Sequence, residues 1–143
     1  MSLILTTPPS IEPVSLAEAK MHLRVSHGDD DIYITRIITA ARRQIEARLD
    51  TGLIQQSWSY YINRWPDCRA ITLPLSPVIA VTDVIIYGDD DTPATLDPAH
   101  YYIDRRNKPP LLALRNDRSV PYAGRRFAGI EVKMTVGYGA AAS

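Results

Sequence analysis

Residues 29–49 read DDDIYITRIITAARRQIEARL, and the fold class turns on how that stretch has to be completed. Ile34, Ile37, Ile38, Ala41, Ile45 and Leu49 recur at spacings of three and four. On a helix these residues form one apolar stripe, with Arg36, Arg42, Arg43 and Arg48 off it. Asp29, Asp30 and Asp31 at its start oppose the positive end of the helix dipole. Gly52 follows the last periodic residue, where a left-handed residue is predicted to close the helix. Upstream, Ser15 and Glu18 have capping-box spacing, so each side chain can satisfy a free N–H at a helix start. This predicts a short helix from Leu16 to Leu23 or Arg24, with Val14 placed to staple against Ala19. Two helices alone do not bury the stripe, so it must pack on something else.

The rest of the chain offers strands. Trp58, Tyr60 and Ile62 alternate with Ser59, Tyr61 and Asn63. Ile71 and Leu73 lead into Pro74-Leu75-Ser76-Pro77, and Val78 to Tyr87 is a β-branched run interrupted by Ala80 and Asp83. Gly88-Asp89-Asp90-Asp91 turns the chain. His100–Ile103 and Leu111–Leu114 are short strands, and Ile130, Val132, Met134 and Val136 alternate with polar residues at a period of two. Short strands divided by Pro- and Asp-rich turns predict an antiparallel sheet or small sandwich. The fold class is therefore α+β, with an N-terminal helix pair packed on that β-unit. Residues 1–56 form the helical region, 57–137 the β-region and 138–143 a tail.

Composition excludes more than it selects. The 143 residues are 45% hydrophobic and 22% charged, ordinary for a globular protein. Sixteen basic and sixteen acidic side chains cancel, so global charge gives no argument for nucleic acid or an acidic membrane. The charge is unevenly spread. From Asp104 onward eight basic residues face three acidic ones, and the first 103 residues carry the opposite excess. That split is expected either as surface charge serving solubility or as a basic and an acidic face suited to head-to-tail packing. Cys68 alone allows no internal disulfide. No apolar stretch is long enough to cross a membrane, and the N-terminus lacks a basic leader region, so a cytoplasmic origin is expected.

No catalytic, cofactor or metal residue is expected. His22, His27 and His100 are scattered, without the clustered ligands that zinc or iron needs. Asp29–Asp31 and Asp89–Asp91 fit a helix start and a solvated turn better than a calcium loop. Cys68 has no evident base nearby, and the seven glycines form no phosphate loop. Arg105, Arg106, Lys108, Arg115, Arg118, Arg125 and Arg126 remain, with Tyr122 and Phe127 close in sequence. They are expected as solvated loop charge, or else as contact with a partner protein or passing DNA. The eight tyrosines and two tryptophans are expected in the core and on sheet faces, part of them in an oligomer interface.

The order of segments carries a resemblance. Val14–Arg24, the Asp-rich turn before Ile32–Arg42, and Thr51-Gly52 resemble the opening of phage head–tail connector proteins. Ile71–Val78, the Val84-Ile-Ile-Tyr87 strand before an acidic turn, and Val136-Gly-Tyr-Gly139 are similar to the connector subgroup that carries a β-rich insertion, found also in gene transfer particles. Such proteins continue past Gly-Tyr-Gly into a helical pair that completes a bundle around the stripe, and those helices are expected to be absent before Ser143. The resemblance implies a structural virion protein, not an enzyme, made in the bacterial cytoplasm. It implies a ring, expected to be twelvefold, beneath the portal protein, with a docking surface for a stopper or tail-completion protein. DNA would pass through without specific binding. The alternatives are another neck or tail-completion protein of the same particle, or a small ligand-binding domain or enzyme gathering His100, Asp104 and Arg105 in a cleft.

Overall fold

The computed structural model describes residues 1–139. Two helices and eight strands follow the order β1 (Ser2–Thr7), α1 (Leu16–Leu23), α2 (Asp31–Leu49), β2 (Gln56–Ile62), β3 (Ala70–Thr72), β4 (Val78–Tyr87), β5 (Pro93–Thr95), β6 (Tyr101–Asp104), β7 (Leu111–Leu114) and β8 (Ile130–Val136). Every strand pair is antiparallel. The class is α+β as predicted, and among the described residues no α-helix follows α2, only a single 3-10 turn at Pro98–His100.

The strands form two sheets, β1-β2-β8-β4-β5 and β3-β7-β6. Between them lies one buried cluster. Ile62, Val84, Ile130, Val132 and Met134 enter it from the larger sheet, and Ile71, Leu112, Leu114 and Tyr101 from the smaller. Alternation on β8 is regular, so its inward residues are the four named from sequence. The β4 run is less regular because its register against β8 slips twice, between Val78 and Ala80 and between Val81 and Asp83. Each slip inserts a residue and resets which side faces inward. Val78, Val84 and Ile86 are buried in the core, and Val81, between the two slips and opposite Met134, is thereby turned to pack against it as well.

Ser2–Thr7 supplies a strand that the sequence pattern did not announce. It pairs with β2 from Ser2 opposite Tyr61 to Thr7 opposite Ser57 and forms one edge of the larger sheet. Gly137 and Tyr138, just past β8, donate to the carbonyls of Pro77 and Leu53. Gly139 accepts from Gln55 N–H, so the chain after β8 runs beside the α2–β2 connection. The remainder of the expected tail, residues 140–143, lies outside the described residues.

Helix α1 begins as its capping box requires. Glu18 N–H donates to Ser15 Oγ at 3.1 Å, and Ser15 N–H donates to Glu18 Oε2 at 2.8 Å. That bond to the Ser15 backbone holds the Glu18 carboxyl below its ordinary pKa. Replacing Ser15 by Ala is expected to cost about 1 kcal/mol, because the N3 amide loses its acceptor. Chemical denaturation of the single variant measures this. Helix α2 closes two residues earlier than Gly52: Asp50 takes the left-handed conformation at φ 47°. Gly52 is needed for space instead, since a Cβ there would sit 2.9 Å from Val136 Cγ2.

Candidate functional site

The outward and inward faces of α2 are not those its apolar stripe suggests. Its buried residues are Ile34, Arg42 and Glu46. Tyr33, Ile37, Ile45 and Leu49, spaced four apart around the exposed Ala41, are 45% to 66% exposed. Residues four apart follow one ridge that drifts about 40° round the helix at each step, so this exposed apolar row climbs about 24 Å along the axis while winding nearly half-way round it. The helix has turned so that only one flank of the stripe, Ile34 and half-buried Ile38, faces the rest of the chain.

A polar network causes the turn. Arg42 Nε donates to Glu12 Oε2 at 2.7 Å, and Arg42 Nη1 donates to Glu46 Oε2 at 2.6 Å. The other Glu46 oxygen accepts from Leu53 N–H at 2.9 Å and from Gln56 Nε2 at 2.7 Å. Burial alone would lower the Arg42 pKa, but its hydrogen bonds and the charges of Glu12 and Glu46 outweigh that and raise it. One ion cluster thus ties the chain before α1, the end of α2 and the start of β2 together. Beside it, α2 and the β1–β2 edge enclose a cleft of about 300 Å³ lined by Leu3, Leu5, Ala47, Trp58 and Leu75. The buried Trp58 Nε1 has no hydrogen-bond partner.

The tightest set of titratable side chains lies elsewhere, on the larger sheet. Glu131 Oε1 accepts from Ser59 Oγ at 2.7 Å and Tyr61 Oη at 3.0 Å, and Oε2 accepts from Tyr87 Oη at 2.7 Å. Burial pushes the Glu131 pKa up, but the three hydroxyl donors prevail and hold it below its ordinary value. The bond to Glu131, helped by burial and its charge, pushes Tyr87 up to about 12. All three hydroxyls donate to one carboxylate, so the arrangement stabilises Glu131 as an anion. The signs of the shifts set a pH window. Glu131 has a depressed folded pKa, so its contribution is lost as pH falls through that value. Tyr87 contributes below pH 10, and that contribution is lost as pH rises through about 12. Tyr87→Phe is expected to flatten the alkaline limb of a stability-versus-pH curve measured by urea unfolding.

The residues suggested for an enzyme cleft are not brought together. His100 Nδ1 lies 3.3 Å from the Asp97 carbonyl, Asp104 accepts from Arg106 N–H and Asn107, and Arg105 donates to the carbonyls of Val78 and Ile79. His27 lies near Asp29 and Asp30 at 3.7 and 3.9 Å, and Asp31 pairs with Lys20. Cys68 is exposed. Among the described residues, no group of three His, Cys, Asp or Glu is placed to hold a metal ion.

Part of the late basic segment does assemble. Arg125 and Arg126 join Arg64, Trp65 and Tyr122 around a groove of about 640 Å³. Arg125 is paired with Asp91 and stacks 4.4 Å over the Tyr87 ring. Arg64 and Trp65 were not singled out from sequence. The register that sets Ile62 opposite Ile130 brings the end of β2 to the start of β8, and no local pattern reveals that pairing.

The family profile described as "Phage gp6-like head-tail connector protein" matches residues 13–90. The chain belongs to this family. Its match begins at the α1 cap and runs through both helices to the turn after β4. No curated protein sequence matches the connector chain. Among solved structures it shares its fold with a chain from the neck of an empty GTA particle computed with C6 symmetry, at TM-score 0.83 and 23% identity, covering 99% of this chain and 74% of that one. A chain from the virion of the native gene transfer agent particle matches at TM-score 0.77, also 23% identical, with the same coverage. A third, from the neck of the native particle computed with C12 symmetry, gives 0.73 at 22% identity over 99% and 72%.

Proposed function

We propose that this connector is one copy of a ring in the neck of a phage or phage-like particle, seated against the portal and offering the surface on which a stopper or tail component docks. The family assignment over residues 13–90 carries this reading. The chain's own physics supports it. An apolar ridge about 24 Å long stands uncovered on α2, which suits a part that finishes its packing in an assembly. The Glu131 carboxylate uses its hydrogen-bonding capacity on three hydroxyls of the same sheet, where it ties β2, β4 and β8 together. The likeness to chains from neck assemblies of sixfold and twelvefold computed symmetry agrees with a cyclic arrangement.

The test is to mix the purified chain with portal rings and image the product. Added ring density at the portal exit is expected. A portal surface left bare at saturating connector would remove the proposal.

A further inference from the structure

The groove at the end of β2 carries more positive charge than the chain itself pairs: of its three arginines only Arg125 has a carboxylate, Asp91. Arg64 and Arg126 line it, and neither has a carboxylate within 4 Å among the described residues. The Trp65 indole N–H is buried there without an acceptor, on a side chain only 5% exposed. Tyr122 and Val120, which line the groove, are exposed, and Arg126 stacks 5.5 Å over the ring of its exposed sequence neighbour Phe127. Arginines without a carboxylate of their own beside exposed aromatic residues are the chemistry of a protein contact that takes carboxylates.

The opposite charge sits at the other end of the sequence. In the turn between α1 and α2 the Asp29 side chain is 94% exposed and that of Asp30 57%, and both meet only His27, at 3.7 and 3.9 Å. No residue of either helix lines the groove, so the two features are separate patches on one molecule. A cyclic assembly of more than two copies needs this kind of pair, because its interface joins two different patches.

We infer that the Arg64–Arg126 groove receives the Asp29–Asp30 turn of a second copy of this chain, as the head-to-tail contact of a ring. This rests on the neck reading and deepens it. Acidic groups within a Debye length of the guanidinia make the contact weaken with salt.

Oxidative trapping tests this on the full chain, with exposed Cys68 first replaced by Ser. Gly28→Cys and Tyr122→Cys, placed together, put one thiol beside Asp29 and one in the groove lining without removing a charge. At low salt this double variant is expected to give a ladder of disulfide-linked oligomers, and each single variant at most a dimer. Adding Arg64→Glu and Arg126→Glu should reduce the ladder roughly tenfold. Adding Asp29→Lys and Asp30→Lys to that reversed background should restore it. No ladder at low salt, or a ladder indifferent to both reversals, overturns the inference. So does loss of duplex DNA binding on Arg64→Glu and Arg126→Glu with the ladder unchanged, which would assign the groove to nucleic acid. Portal binding by the wild-type chain is measured separately, so a failed ladder beside a bound portal rejects this contact and leaves the neck reading standing.

Discussion

Replacing Glu46 by Ala is expected to destabilise the chain by about 3–5 kcal/mol, the range for removing one partner of a buried ion pair. The loss is large because three groups lose a partner together. Arg42, only 6% exposed, keeps its charge with Glu12 alone. Leu53 N–H and Gln56 Nε2 both lose the oxygen they donate to. A buried donor left unmade costs more than the bond contributed. Replacing the set by well-packed apolar residues has the opposite sense, since a buried pair is often near neutral against a hydrophobic substitute. Glu46→Ala is therefore expected to be far worse than a combined Glu12→Gln, Arg42→Met, Glu46→Leu change, and urea unfolding of the two proteins decides it. If Glu46→Ala proves neutral, the network does not hold α2 in its observed rotation.

That rotation marks where sequence reading stops. The period of α2 was plain, and so was its apolar stripe, but the stripe did not say which flank would be inside. Glu12 and Leu53 decide that, and they lie outside the helix on either side of it. The capping box at Ser15 and the alternation of β8 are local and were legible as written. Strand β1 was not, because Leu3 and Leu5 are a short alternation that ends at Thr-Thr-Pro-Pro, and its evidence is its pairing with β2. Strand β5, Pro93–Thr95, is exposed throughout and has no apolar signal to read. The groove was half legible: Arg125, Arg126 and Tyr122 are neighbours in sequence, whereas Arg64 and Trp65 arrive through a contact some sixty residues away.

The second large effect is expected at Leu112, which is fully buried on β7, the middle strand of the smaller sheet. It pairs with Ile71 on one side and Ile103 on the other, and it belongs to the cluster that joins the two sheets. Leu112→Ala removes three heavy atoms where neighbours on both flanking strands are hydrogen-bonded in place, so the space closes only in part. The transfer and cavity contributions together predict a loss of about 2–5 kcal/mol. The comparison that gives this meaning is Ile45→Ala on the open ridge of α2. The residue removed is as apolar, yet it is half in water already, so the loss is expected to stay within about 0.5 kcal/mol. Tryptophan fluorescence during urea unfolding reports on Trp58 and Trp65, the two tryptophans of the chain, both packed at the core. A large effect at Leu112 beside a small one at Ile45 means that the sandwich folds without the ridge being covered. The ridge is then free for a later partner, and its apolar residues answer to assembly and not to the stability of the single chain. Equal effects at the two positions would show the ridge already packed in solution and remove the main physical support for a chain that completes its packing in a larger particle.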